Sequence, residues 1–156
     1  MAFKIKNKQR FDRKMKDIQR AGRSMQKNLA KELPISYIFA LGKNTPLAQP
    51  RDQDGKKIKG RGLAKAAWYQ MLPNFGKKTN TNRRLPPGSS TVQNKVRSNK
   101  SVAVLTNAID YIGYLDKGGK NTPPANILAK SRIQMEVKAE KQLKRHGKIL
   151  KRVWRR

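Results

Sequence analysis

The chain has 156 residues, a length typical of one domain, and its 38 Lys and Arg outnumber nine Asp and Glu to give a formal net charge of +29. It has no cysteine and one histidine, His146, which excludes disulfides, thiolate metal sites and multi-histidine zinc sites. No apolar run approaches the about 20 residues that span a bilayer, and no apolar segment follows the basic N-terminus as it would in a secretory signal. We therefore expect a soluble protein made in a cytoplasm, with polyanions or acidic protein surfaces as partners.

The first predicted element is an amphipathic helix that begins near Phe11. Its apolar residues alternate in spacing between four and three, as on one face of a helix: Phe11, Met15, Ile18, Met25 and Leu29, with Gly22 in the vacant position. The opposite face is basic and carries Arg13, Lys14, Lys16, Arg20, Arg23 and Lys27. Pro34 predicts an end near Leu33, because the residue before proline disfavours helical backbone. The basic face is either solvated or lies on a membrane or nucleic acid.

The middle of the chain alternates short apolar segments with long basic loops. The run from Ile35 to Gly42 is either a buried strand or a helix continuing past a kink, and its Ala40 and Leu41 favour the helix. Residues 43–61 are predicted to be a loop, and residues 61–72 a short helix that Pro73 ends, with Leu63, Ala67 and Leu72 near one face beside Trp68. Residues 73–90 form the second loop. Long irregular loops inside compact domains tend to be functional.

The last third predicts a β-hairpin and a long helix. Val92 and Val96 mark the first strand, SVAVLTN alternates as a half-buried strand does, and Ser98-Asn99-Lys100 supplies the turn. Pro123-Pro124 precedes the helix and Asn126 is the candidate N-cap. Its predicted inner stripe is Leu128, Met135, Ala139, Leu143, Leu150 and Val153, and Gly147 weakens the helix late.

Together these elements predict an α+β fold with an N-terminal amphipathic helix, a small antiparallel sheet with a hairpin, and a long C-terminal helix. We expect one domain, 1–156, with a basic N-terminal arm at 1–10, long basic loops at 43–61 and 73–90, and a basic C-terminal tail at 148–156.

No pattern of residues predicts catalysis. Asp52 and Asp54 lie among lysines in a predicted loop, Asp110 and Asp116 are placed too far apart to pair, and His146 is expected to be a satisfied structural residue. We therefore predict no enzymatic activity, no metal site and no cofactor. The loops instead have the Lys, Arg, Gly and Asn composition that neutralises phosphates without reading bases. The predicted contacts to DNA or an acidic partner are Lys56, Lys57, Lys59, Arg61, Lys77, Lys78, Arg83 and Arg84.

One nearly uncharged stretch, residues 105–119, stands out in this basic chain. A strand ending in Asn107 is followed by Tyr111, by Leu115-Asp116 and by Gly118, then by TPPA at 122–125 and a long helix. This order resembles the signature of the head–tail connector and tail-completion family of tailed phages, relatives of the lambda-like minor tail protein Z. An upstream element of that family is similar to Thr45-Pro46 and Gly62-Leu63 through Trp68. The chain departs from the pattern where Asp110 replaces a frequent Pro, where Asp116 replaces the commoner Glu, and where about a dozen residues intrude before Gly62.

The resemblance implies a structural virion protein of the phage neck or tail top, forming a homo-oligomeric ring that joins head to tail around the DNA channel. Implied partners are further copies of the chain, neighbouring neck, portal-side or tail-terminator proteins, and DNA or tape-measure protein in the channel, with no membrane. The implied location is the virion, after assembly in the host cytoplasm. From composition alone the alternative is a non-specific nucleic-acid-binding protein of ribosomal or nucleoid type.

The uncharged stretch itself is expected to be an internal structural turn. Asn107 or Asp110 would cap the free amides of a one-turn helix, while Tyr111, Ile112 and Leu115 would anchor that helix on the sheet. Gly118-Gly119 would allow the chain to reverse.

Overall fold

The computed structural model describes residues 7–47, 62–79, 81, 83–96, 101–119 and 123–155. Its elements are helix α1 (Lys8–Asn44), helix α2 (Leu63–Tyr69), a 3-10 turn (Leu72–Phe75), strands β1 (Ser90–Val96) and β2 (Ser101–Asn107), helix α3 (Ile112–Lys117) and helix α4 (Ile127–Arg155). The fold is α+β, as predicted, with a long helix near each end and an antiparallel hairpin between them. The predicted hairpin turn at 98–100 lies outside the described residues.

Helix α1 runs without interruption through Pro34, so the predicted stop at Leu33 is wrong and the helical alternative for Ile35 to Gly42 is correct. A proline inside a helix costs about 3 kcal/mol, because it removes one backbone hydrogen bond and crowds the preceding turn. The two turns after Pro34 offset that cost by burying Ile38 and Leu41, which are 0% and 1% exposed. Each such side chain contributes about 1.5–3 kcal/mol.

The hydrophobic core lies between the C-terminal quarter of α1, α2, the 3-10 turn, α3 and the start of α4. Its buried members are Ile38, Leu41, Ala64, Ala67, Trp68, Met71, Leu72, Phe75, Ile109, Tyr111, Leu115 and Ile127. The indole of Trp68 donates from Nε1 to Thr45 Oγ1 at 3.1 Å, and that hydroxyl donates to the Leu41 carbonyl at 2.7 Å. Gly42 allows the Tyr69 ring to lie against α1, since a Cβ there would sit 2.7 Å from Tyr69 Oη.

Beyond the core, α1 and α4 continue side by side as an antiparallel pair. Asn44 Nδ2 donates to Ser131 Oγ at 2.9 Å near the core, Gln142 Nε2 donates to Glu32 Oε2 at 2.7 Å farther along, and Lys14 Nζ donates to the Trp154 carbonyl at 3.2 Å at the far end. We define the arm as residues 8–33 of α1 with residues 138–155 of α4. No side chain of the arm is fully buried. The residues predicted as a basic N-terminal arm and a basic tail are therefore helical from Lys8 and up to Arg155.

The face of α4 that meets α1 differs from the predicted stripe. Leu128 and Leu143 are 50% and 58% exposed, so the prediction that both belong to the buried stripe is wrong. The residues that are buried or partly buried are Ile127, Ser131, Met135, Ala139, Gln142, His146, Leu150 and Val153. Ser131, Gln142 and His146 occupy this face because two of them meet polar groups of α1, a match that hydrophobic spacing alone does not reveal.

The two strands form the hairpin expected from the alternating sequence. In the antiparallel register Val92 is opposite Leu105 and Gln93 is opposite Val104. Val92, Ala103 and Leu105 point inward and pack against the core, whereas Val102 and Val104 are 40% and 48% exposed. A two-stranded sheet is marginal alone, so this hairpin depends on the packing of its inner face. An apolar groove of about 570 Å³ lies between that face and α1.

Candidate functional site

Asn107, the residue that ends β2, ties the hairpin to α2. Its Nδ2 donates to the Ala64 carbonyl at 2.8 Å, and its Oδ1 accepts from the Ile109 amide at 3.2 Å. The side chain therefore shapes the chain before α3 and does not cap that helix. The N-cap position of α3 is Tyr111, which makes no side-chain capping bond, and Asp110 is exposed. The prediction that Asn107 or Asp110 caps α3 is wrong, because the Asn107 amide is used by Ala64 and Ile109.

Tyr111 makes the second link to α2. It is 4% exposed, and its hydroxyl accepts from the Ala64 amide at 3.2 Å. Asn107 and Tyr111 thus bind the two backbone groups of Ala64, the second residue of a helix that begins after Gly62, whose φ is 77°. The segments near Gly62-Leu63 and near Asn107 meet at this point.

The end of α3 is joined directly to the beginning of α4. The Ala125 amide donates to the Leu115 carbonyl at 2.9 Å, and the Asn126 amide donates to the Asp116 carbonyl at 3.1 Å. Asp116 Oδ1 accepts from the Leu128 amide at 3.0 Å, so Asp116 supplies the side-chain cap that was predicted at Asn126. Gly118 follows α3 with a φ of 81°, a left-handed backbone conformation that favours glycine. Leu115 itself is 5% exposed and lies in the core. We call Asn107, Tyr111, Leu115, Asp116 and Gly118 the joint.

Replacing Asp116 with alanine is expected to lower the free energy of unfolding by about 1 kcal/mol, the usual cost of losing an N-cap. Asp116→Asn keeps a capping oxygen and should retain most of that stability. Urea denaturation followed by circular dichroism measures the difference. Asp110→Ala, at an exposed position six residues earlier, is the control and should change stability by less than about 0.5 kcal/mol. Equal losses in Asp116→Ala and Asp110→Ala would contradict the capping role.

The basic residues predicted to contact DNA or an acidic partner fall into two groups. Lys56, Lys57, Lys59 and Arg61 lie outside the described residues. Lys77, Lys78, Arg83 and Arg84 are exposed after the 3-10 turn, and Gln70 Nε2 holds the second pair near α2 by donating to the Arg83 carbonyl at 3.1 Å.

The densest positive charge in the described part of the chain lies on the arm instead. The arm contains 17 Lys and Arg against four Asp and Glu. On α1, the side turned away from α4 carries a row that we call the outer stripe: Arg13, Lys16, Arg20, Arg23, Lys27 and Lys31, all exposed. Most of these cations belong to the predicted basic face of the helix, whereas the predicted partner contacts lie in the loops. The contribution of α4 becomes visible only once its register against α1 is known.

Two exposed apolar surfaces lie away from the core. The first, the hairpin face, is the outward side of the sheet, with Val102 and Val104 beside Thr91, Gln93, Lys95 and Thr106. The second, the α4 patch, consists of Ile133 and Val137, which are 62% and 49% exposed, one turn apart on the side of α4 turned away from α1.

The pKa values of two tyrosines are raised, and in both cases the cause is burial in a packed part of the fold. Burial raises the pKa of Tyr37 beside the groove, the charge of Arg132 opposes the rise, and Asp116 adds to it. Burial also raises the pKa of Tyr69. Both phenols therefore stay neutral at pH 7. His146 is not satisfied as predicted: its Nδ1 and Gln142 Oε1 are buried without a hydrogen-bond partner among the described residues. Within those residues no group of three or more His, Asp or Glu is arranged to hold a metal ion.

Comparison with protein-family models, with curated proteins and with solved structures yields no match to this chain. None of the helices in the described ranges has a segment long and apolar enough to cross a membrane. The fold and its surfaces are thus those of an α+β protein with a hydrogen-bonded joint, a basic arm and exposed apolar surfaces on the hairpin and on α4.

Proposed function

We propose that this protein is a structural virion component of a phage neck or tail top, where copies form a ring that joins head to tail around the DNA channel. The observation that carries the proposal is the presence of two unlike apolar surfaces, the hairpin face and the α4 patch, on one small and strongly charged chain. The hairpin face of one copy would pack on the α4 patch of the next.

Unlike surfaces on one subunit favour a ring for a geometric reason. A contact between two different surfaces leaves one of each free, so the next copy adds by the same rotation and the series closes when that rotation divides a full turn. Like-charged copies repel over most of their surface, whereas Lys95 is the only charged residue among the six on the hairpin face. The hairpin face is therefore a favourable place for contact, and the exposed side chains of Ile133 and Val137 supply an apolar surface for it to meet.

The resemblance to tail-completion proteins supports the same proposal. Its residues Asn107, Tyr111, Leu115 and Asp116 belong to the joint, whose hydrogen bonds link the segment after the hairpin to α2 and to the start of α4. Neighbouring neck, portal-side or tail-terminator proteins, and tape-measure protein in the channel, are the further partners proposed. The protein would act in the virion after assembly in the host cytoplasm.

Two single substitutions test the ring. Val104→Lys places a charge on the hairpin face and Val137→Lys places one on the α4 patch, and each variant alone is expected to be monomeric where the parent forms closed rings. An equimolar mixture should form pairs and nothing larger, because the intact hairpin face of one variant meets the intact α4 patch of the other. The measurement is mass photometry and negative-stain electron microscopy of nuclease-treated protein in about 0.5 M salt, where the Debye length is about 4 Å.

The control is Leu143→Lys, which adds the same charge to another exposed apolar position on a different side of α4. It should form rings like the parent. A parent that stays monomeric at all concentrations, or a mixture that remains monomeric while each variant is folded, would contradict the proposed contact.

A second candidate from another class is a non-specific nucleic-acid-binding protein of ribosomal or nucleoid type, which the charge of the arm favours. It predicts monomers in nuclease-treated samples at high salt. It also predicts that Val104→Lys and Val137→Lys leave the oligomeric state unchanged.

A further inference from the structure

We propose that the outer stripe of α1 is a binding surface for the sugar–phosphate backbone of double-stranded DNA. In the proposed ring, on which this inference rests for its biological setting, the stripe would be the part of each subunit that faces DNA. A single subunit is nevertheless sufficient for the contact, so DNA binding and ring formation are separately measurable.

The spacing of the outer stripe suits a phosphate backbone. Its six cations follow one another at intervals of three or four residues from Arg13 to Lys31, which keeps them on one side of the helix. At 1.5 Å per residue the stripe is about 27 Å long, with a cation about every 5 Å. Phosphates of one DNA strand recur about every 3.4 Å along the duplex axis, so the spacing of the cations is comparable to that of the phosphates on the face of the duplex that the stripe meets.

The stripe is also available for a partner. All six side chains are exposed, and among the described residues the ion pair within the stripe is Arg20 with Asp17, at 3.8 Å and with both side chains more than half exposed. Such a surface pair contributes at most about 1 kcal/mol and leaves the guanidinium accessible. The α4 part of the arm adds eight more exposed cations beside α1: Lys138, Lys141, Lys144, Arg145, Lys148, Lys151, Arg152 and Arg155.

Other partners fit the stripe less well. Binding to a membrane surface needs an apolar helix face free to enter lipid, but the apolar face of α1 is turned to α4. A protein partner needs apolar or aromatic anchors at the centre of the contact, and no such residue interrupts the stripe. A uniform row of cations matches a polyanion of regular charge spacing.

The test compares two variants that each lose five positive charges. In the stripe variant Arg13, Lys16, Arg20, Arg23 and Lys27 become Gln, and in the control variant Lys43, Lys95, Lys117, Lys130 and Arg132 become Gln, all of them exposed in the parent. Gln has a helix propensity close to that of Lys and Arg, so both variants should keep the circular dichroism spectrum of the parent. Binding to a fluorescent 36-base-pair duplex is measured by anisotropy at several salt concentrations.

For the parent we expect affinity to fall steeply with salt. The stripe variant should have a log–log salt slope shallower by about 4.5, since each lost phosphate contact removes about 0.9. The control variant should change the slope by less than about 1. At about 0.15 M salt the stripe variant should bind the duplex at least about 100-fold more weakly than the parent, and the control variant should not show such a loss.

The inference would be overturned if the parent does not bind the duplex, or if both variants lose the same affinity. It would also be overturned if polyglutamate displaces the duplex as effectively as unlabelled DNA does at the same concentration of charge. The oligomeric state of the stripe variant in about 0.5 M salt is measured in parallel and should equal that of the parent, since screening removes the charge difference. If the protein is monomeric and binds DNA through the stripe, the proposed ring is contradicted and the DNA-binding inference is supported.

Discussion

Replacing Leu115 with aspartate is expected to abolish cooperative folding at 25 °C. Leu115 is 5% exposed and belongs to the same core cluster as Tyr111 and Ile127. Removing a buried leucine side chain costs about 2–5 kcal/mol, and an unpaired carboxylate in its place adds several more. Domains of this size have a total stability of about 5–15 kcal/mol, so the loss is comparable to the whole.

Neighbouring positions on α3 provide the controls. Tyr114 is 50% exposed, and Tyr114→Asp should change stability by less than about 0.5 kcal/mol although it adds the same charge one residue away. Leu115→Met preserves volume and should cost less than about 1.5 kcal/mol. Circular dichroism against temperature and urea measures all three. A Leu115→Asp variant that melts with the parent would show that the joint is not part of the core.

Replacing Trp68 with alanine is the second large effect, with an expected loss of about 3–5 kcal/mol in the free energy of unfolding. Trp68 is 4% exposed and is the largest side chain of the core, between α1 and α2. Its indole N–H is satisfied by Thr45, the residue at which α1 ends. Urea denaturation of the parent and the variant measures the loss.

A double-mutant cycle separates packing from the hydrogen bond. Thr45→Val keeps the shape but leaves the Trp68 N–H buried without its acceptor, at a cost of about 1–3 kcal/mol. In a Trp68→Phe background there is no N–H to leave unsatisfied, so the same Thr45→Val change should cost less. Equal costs in the two backgrounds would mean that the Trp68–Thr45 bond does not contribute to stability.

The order and type of the elements follow from local patterns that the core reinforces. The alternation of SVAVLTN and the four–three spacing from Phe11 to Leu29 both give the observed element, because burial on one side selects that period. At Pro34 the local rule failed. Two buried side chains in the next two turns contribute more than the proline costs, and the sequence does not show how deeply they are buried.

For a related reason, hydrophobic spacing alone did not predict all the residues of α4 that face α1. Leu128 and Leu143 looked like core residues, yet Ser131 and Gln142 take the inner positions because they meet Asn44 and Glu32, more than 80 residues earlier in the chain. The cap of α4 likewise comes from Asp116 across a turn and not from the adjacent Asn126. Polar contacts between residues far apart in the chain leave no repeating pattern in the sequence. The sequence therefore did not predict that α4 and α1 form a shared basic surface.

The pairing of α1 with α4 also has a consequence for biosynthesis. The first residue of α4 follows the first residue of α1 by more than a hundred positions, so a ribosome adding about 5–20 residues per second needs several seconds to supply the partner. During that interval the apolar side of the nascent α1 has no α4 to cover it. The positive charges on the other side of the same helix repel the nascent chains on neighbouring ribosomes from one another. The charge of α1 would then protect against premature aggregation before any partner is met.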